Sequence, residues 1–217
     1  MSGYKKGAIS RERIVNTARE LFNEYGIGMT LATLAKKMDI TLGRLTYHFP
    51  TKDSIFLAIA QEYEEKRASQ RIREYTGKFN LVAFFQIIGR AMDLQYDYRC
   101  AMRYIASISK DQAELSSHTT ERYMLNRELI RQAIQIIVAE GELKSSILEE
   151  KKFQVFLFVF SSLLTSWLIN LEIYDHDESY EKMKPIYLKG IFSTYLPYCT
   201  ESGIEALREV GVLLITD

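Results

Sequence analysis

Only three prolines (Pro50, Pro185 and Pro197) and eleven glycines interrupt this chain of 217 residues. A β-sandwich or barrel of that length needs a turn about every 8–12 residues, drawn largely from those two residue types. The chain cannot supply them, and long helices are what remains. A hydrophobic share of 47% beside 26% charged residues excludes a disordered or fibrous polymer.

Helical spacing is visible directly. Ile14, Ala18, Leu21, Phe22 and Tyr25 fall on one face of a helix over 10–25, with Ser10 as its N-cap and Gly26 as its stop. Thr30 is placed to cap a short second helix whose inner face holds Leu34, Ala35 and Met38. Asp39 and Ile40 make a tight connection, and Thr41 caps a third helix over 42–48, ended by Pro50. Thr51 caps a fourth, with Asp53 suited to its first turn. Beyond Thr76 and Gly77, helices are predicted over 80–98, 100–109, 112–140, 147–174, 179–197 and 201–213. Ser146 and Glu149 have capping-box spacing, and Gly141 suits a C-cap. The expected fold is all-α. A three-helix unit spans 1–52, a linking helix follows over 53–74, and a larger helical body covers 75–217.

The zero net charge conceals an asymmetry. Residues 1–52 carry nine basic and four acidic side chains, leaving the body with a charge of −5. A basic front on an acidic body suits contact with a polyanion. The stretch from Phe153 to Leu171 has 19 residues without a formal charge, enough to span a bilayer. Six polar residues interrupt it, so a buried core helix is expected rather than a membrane segment. The opening MSGYKKGAIS lacks the apolar core of a signal peptide. Cys100 and Cys199 are expected as free thiols in a reducing, cytoplasmic compartment.

Two short helices behind a longer one, joined by a tight turn, form a helix-turn-helix pattern. Leu34, Ala35, Ile40, Leu45 and Phe49 supply the inner face, while Leu42, Gly43, Arg44, Tyr47 and His48 are spaced to face outward. The run TLATLAKKMDITLGRLTYHFPTK over 30–52, preceded by Leu21-Phe22 and Gly26, resembles the N-terminal domain of the TetR family of transcriptional regulators. Thr30, Leu34-Ala35, Thr41, Gly43, Leu45, His48-Phe49 and Lys52 all fall on that family's pattern. The chain departs from it at Asp39, where the turn usually carries Gly, and at Thr46, where an aromatic is usual.

The resemblance implies binding of a double-stranded DNA operator through Thr30, Thr41, Leu42, Gly43, Arg44, Tyr47, His48 and Lys52. Arg44 is the expected base reader, since it can donate two hydrogen bonds to guanine. Lys52 and His48 are expected on phosphates, and Tyr4, Lys5 and Lys6 form a basic arm. It also implies release by a small apolar or aromatic effector among Phe84, Phe85, Met92, Tyr96, Met102, Tyr104, Tyr123, Phe156, Phe160 and Trp167, although most of these side chains are expected simply to build a core. A homodimer is implied through the last long helices, with Ile186, Ile191, Phe192 and Tyr195 at the interface. The rival reading is a helical sensor or interaction protein whose N-terminal unit binds a protein.

Other chemistry is thinly represented. Ser107 and Lys110 form a bare S-x-x-K, Glu114 and His118 stand four apart, and Asp175 to Glu178 reads as a solvated turn. There is no Gly-rich phosphate loop and no H-E-x-x-H. No catalytic residue, metal site or cofactor is expected.

Overall fold

The computed structural model describes residues 2–69, 78–107 and 113–213, without the side chains of 2–10, 69, 106 and 113–123. Ten α-helices occupy the described residues: α1 Ser2–Tyr25, α2 Leu31–Lys37, α3 Leu42–His48, α4 Lys52–Ser69, α5 Leu81–Asp97, α6 Arg99–Ser107, α7 Ala113–Ala139, α8 Glu150–Ile173, α9 Tyr180–Ser193 and α10 Glu201–Glu209. Short 3₁₀ turns at Ser145–Leu148 and Leu196–Tyr198 punctuate the second half. The all-α expectation holds.

Two local expectations fail. α1 runs unbroken through Ser10, so Ser10 caps nothing. Ser146 lies within a 3₁₀ turn, and Glu149 occupies the N-cap of α8 without a side-chain hydrogen bond, so no capping box forms. Gly26 and Gly141 do end their helices, with φ of 86° and 80°. The side chains of the arm residues Tyr4 to Lys6 and of Glu114, His118 and Tyr123, and the whole of Lys110, lie outside what is described.

The chain divides into two compact units. The first comprises residues 1–69 together with 93–112, which extends the N-terminal unit beyond the expected 1–52 with a segment from later in the chain. The reason is a set of side-chain bonds invisible to periodicity. Asn23 uses both ends of its amide on the α5–α6 junction, donating to the Asp97 carbonyl at 2.8 Å and accepting from the Cys100 N–H at 2.9 Å. Tyr98 donates to Glu62 at 2.6 Å and Tyr104 to Asp53 at 2.5 Å, both carboxylates lying on α4. The Tyr104 ring stacks on Phe56 at 4.0 Å, and Phe56 in turn on Phe22 at 4.5 Å. Met102 and Tyr104 therefore belong to the core of this unit, and Tyr96 falls within its segment.

The second unit comprises 70–92 and 113–217. Its core is aromatic: Phe84, Phe156, Phe160, Phe192 and Tyr195 are buried and meet ring to ring, with Phe156 and Tyr195 at 4.8 Å. The buried Glu142 carboxylate accepts the Leu81 N–H at 2.7 Å and so caps α5. Its carbonyl receives the Thr200 N–H, and a Cβ on Gly203 would stand 2.0 Å from that same oxygen. Only glycine lets α10 approach so closely.

This unit corrects the interface expected on α9. Ile191, Phe192 and Tyr195 are at most 2% exposed within the single chain and face its own core. Ile186 alone of the four lies on the surface. α8 behaves in the opposite way. One face buries Phe153, Phe156, Leu157, Phe160, Trp167, Leu168 and Leu171. The other leaves Val155, Phe158, Val159, Ser162, Thr165, Ile169 and Ile173 in solvent, at intervals of three or four apart from the adjacent Phe158 and Val159. α8 is long and apolar enough to cross a membrane, but its buried face is that of a core helix.

Candidate nucleic-acid interface

The α2–α3 pair is built by two threonine caps. The Thr30 hydroxyl accepts the Thr33 N–H at 3.2 Å, and the Thr41 hydroxyl accepts the Arg44 N–H at 3.1 Å. Between them the chain reverses at Asp39, a non-glycine residue with a positive φ of 54°. The left-handed region costs an L-residue about 1–2 kcal/mol, and the short polar side chains of Asp and Asn tolerate it best. The amide of Ile40 closes the turn on the Ala35 carbonyl at 3.1 Å.

α3 is anchored from below. Leu45 and Phe49 are buried among Leu34, Phe22 and the apolar face of α1. That register turns Leu42, Gly43, Arg44 and Tyr47 outward, all exposed. Tyr47 is 83% exposed, and its ring meets that of the half-buried His48 edge-on, 5.2 Å away. Thr46 donates to the Leu42 and Gly43 carbonyls along its own helix at 3.0 and 3.3 Å, so the outward aromatic sits one position later than is usual in the family. Gly43 has an ordinary helical φ and open space where a Cβ would stand. Glycine inside a helix costs roughly 0.5–1 kcal/mol relative to alanine. Nothing among the described residues demands it.

Lys52 has an internal role that spacing did not reveal. Its ammonium donates to the Ile27 carbonyl at 3.0 Å, tying the start of α4 to the α1–α2 turn. Two of its three N–H groups remain for another acceptor. Arg11 lies over the Phe49 ring at 4.9 Å, and the Lys37 ammonium lies 3.3 Å from the Tyr25 ring centre. The outward surface is thus short, cationic and hydroxyl-rich, with two exposed apolar side chains, Leu42 and Tyr47.

The family model for bacterial regulatory proteins of the TetR type matches residues 14–59, the segment that builds α1 to the first half of α4. This N-terminal segment is of the TetR type. Over 116 residues it is 29% identical to the HTH-type transcriptional repressor Rv1474c of Mycobacterium tuberculosis, a stretch covering 53% of this chain and 59% of that protein. A TetR-family transcriptional regulator from Marinobacter aquaeolei VT8 shares the fold with a TM-score of 0.79 at 20% identity, covering 92% of this chain and 96% of that one. The SmeT protein of a SmeT–triclosan complex superposes with a TM-score of 0.63 at 15% identity, covering 95% of each chain. These two likenesses extend the shared fold well beyond the N-terminal unit.

The remaining sequence candidates are not drawn together. Phe84, Met92, Phe156, Phe160 and Trp167 are buried core of the second unit, Phe85 is half-buried beside Phe192, and Tyr96, Met102 and Tyr104 belong to the first. Burial pushes the thiols of Cys100 and Cys199 up to about 11, so neither is poised as a nucleophile. Burial first, and then the hydrogen bond to Asp53, raises the Tyr104 phenol to about 12. Among the described residues no three His, Cys, Asp or Glu side chains gather where they could hold a metal ion.

Proposed function

We propose that this regulator acts in the cytoplasm as a homodimeric repressor of a palindromic operator, released by a small apolar or aromatic effector. The observation that supports DNA reading most directly is the outer face of α3. Gly43 is an unforced helix glycine, flanked by Leu42, Arg44 and Tyr47 on a rigidly seated helix. A glycine with no internal cause fits a surface that another backbone approaches closely. In this reading Leu42, Arg44 and Tyr47 reach base edges, while Thr30, Thr41, His48 and Lys52 hold phosphates.

The dimer rests on the bare face of α8. Val155, Phe158, Val159, Ile169 and Ile173, with Ile186 of α9, leave an uncharged apolar stripe in water. Stripes of this kind mark association surfaces. A second copy of the chain provides an identical stripe and a twofold axis, and that axis places two recognition helices on successive major grooves. Effector release is then a population shift toward a dimer whose helices no longer match that spacing. SmeT, which shares the fold, is known in complex with triclosan, a precedent for an aromatic effector. Among the described side chains of the second unit's candidates, Phe85 is the ring that is not wholly buried.

Arg44→Ala tests the reading. It should cost roughly 1–3 kcal/mol per half-site on a duplex selected by the parent protein, and relax preference at one symmetric base pair. Loss of affinity by the same factor on random-sequence duplex would make Arg44 a phosphate clamp instead. Unchanged binding to both duplexes by a folded dimer would overturn the assignment of α3.

A further inference from the structure

A cleft of about 240 Å³ opens on the N-terminal unit between α1, the α2–α3 turn and α3. Arg13 and Thr17 of α1, Asp39 of the turn and Arg44 of α3 stand around it, over the apolar side chains of Ile14 and Ile40. Arg13 and Thr17 are one helical turn apart, so a guanidinium and a hydroxyl share one wall. The neighbouring arginines of α1 have occupations, Arg11 over the Phe49 ring and Arg19 over the Tyr98 ring. Arg13 is exposed and makes no hydrogen bond, ion pair or ring contact with a described residue.

The charges select the occupant. Two guanidinium groups and one carboxylate give the cleft a net charge of +1. A phosphodiester carries one negative charge, whereas a phosphomonoester carries about 1.5 to 2 near neutral pH. The geometry points to the cleft as a seat for a phosphodiester of the DNA backbone, with Arg13 and Thr17 carrying the contact from α3 onto α1. The inference rests on the DNA-binding reading above. Arg13 presents a planar fork suited to two phosphate oxygens, and Thr17 adds a hydroxyl donor. Asp39 opposes the anion and limits affinity for every sequence equally.

Substitutions at Arg13 and Asp39 should act with opposite signs. Arg13→Ala should weaken binding to a selected operator and to random-sequence duplex by the same factor, about tenfold. It should also flatten the slope of log K against log salt by roughly two units per dimer, about one for each half-site. Asp39→Asn, which tolerates the left-handed turn, should tighten both duplexes and leave sequence preference unchanged. Melting curves on both variants confirm the fold. An unchanged salt slope in Arg13→Ala, or weaker binding by a folded Asp39→Asn, overturns the cleft; the DNA reading stands if Arg44→Ala still loses preference in the same assay. Inorganic phosphate that raises the parent's melting temperature but not that of Arg13→Ala, with equal DNA slopes, would assign the cleft to a free anion and equally overturn the proposal. A folded parent that binds no duplex at any salt concentration overturns the reading beneath it.

Discussion

α8 and α9 look alike as sequences and do opposite things with their apolar residues. α9 turns Leu188, Ile191 and Phe192 into the aromatic core, and Tyr195 just beyond it does the same. α8 fills that core with one face and leaves the other bare, with Phe158 71% exposed in the single chain. An apolar residue on a helix records a demand for burial, not where the burial happens. α9 meets its demand within the chain, whereas half of the demand of α8 stays unmet in the single chain, and in the proposed dimer a second copy meets it.

Matched phenylalanine substitutions separate the two helices. Phe192→Ala should cost about 3–5 kcal/mol of folding stability, a large share of the ~5–15 kcal/mol available to a domain. The deficit should be the same at every protein concentration in denaturant titrations. Phe158→Glu should leave the fold of each chain intact while placing two unpaired charges on the proposed twofold seam. Sedimentation should then show dimer affinity reduced by a hundredfold or more, and the melting temperature should lose its dependence on concentration. Equal loss of fold in both variants would erase the contrast between the helices.

A second comparison sets the bare face of α3 beside that of α8. Both expose apolar side chains, but the α8 stripe is long and uncharged, while the α3 face is short and ringed by Arg44, His48 and threonine hydroxyls. The first suits a copy of itself and the second a polyanion. Tyr47→Ala should therefore weaken DNA binding by roughly 1–3 kcal/mol per half-site and leave dimer affinity and melting temperature unchanged. The smallest effect is the most diagnostic. Gly43→Ala should raise folding stability by about 0.5–1 kcal/mol, because the added methyl meets nothing among the described residues. In a gel-shift titration the same methyl should weaken operator binding. Weaker binding from a more stable protein has no explanation in the fold alone.

What the sequence made legible follows from range. The caps at Thr30 and Thr41, the left-handed turn at Asp39 and the stops at Gly26 and Gly141 are local, and residues up to four positions apart decide them. The register of α3 was legible for the same reason, since Leu45 and Phe49 form its only inward stripe. Interactions across the chain were not. Nothing in the spacing of Asn23, Asp97 and Cys100 announces that an amide side chain 74 positions away clasps the α5–α6 junction. Lys52 is expected on a phosphate, and its bond within the chain is hidden because the partner is a main-chain carbonyl, which carries no sequence signature. On α9, spacing alone does not say that Ile191 is buried or that Phe84 and Phe160 lie against Phe192. On α8, a charge-free run conceals which face is outside, and Phe158 was passed over.

The central claim is that the outer face of α3, presented twice by a dimer, reads an operator of matching symmetry. Selection of bound duplexes from a random-sequence pool by the full-length protein, with the stoichiometry of the enriched complex measured, tests it in one step. The account predicts an inverted repeat whose half-sites lie about 34–36 Å apart, or a multiple of that, occupied by whole dimers. Enrichment of a site without twofold symmetry, or no enrichment by a folded dimer, would contradict it.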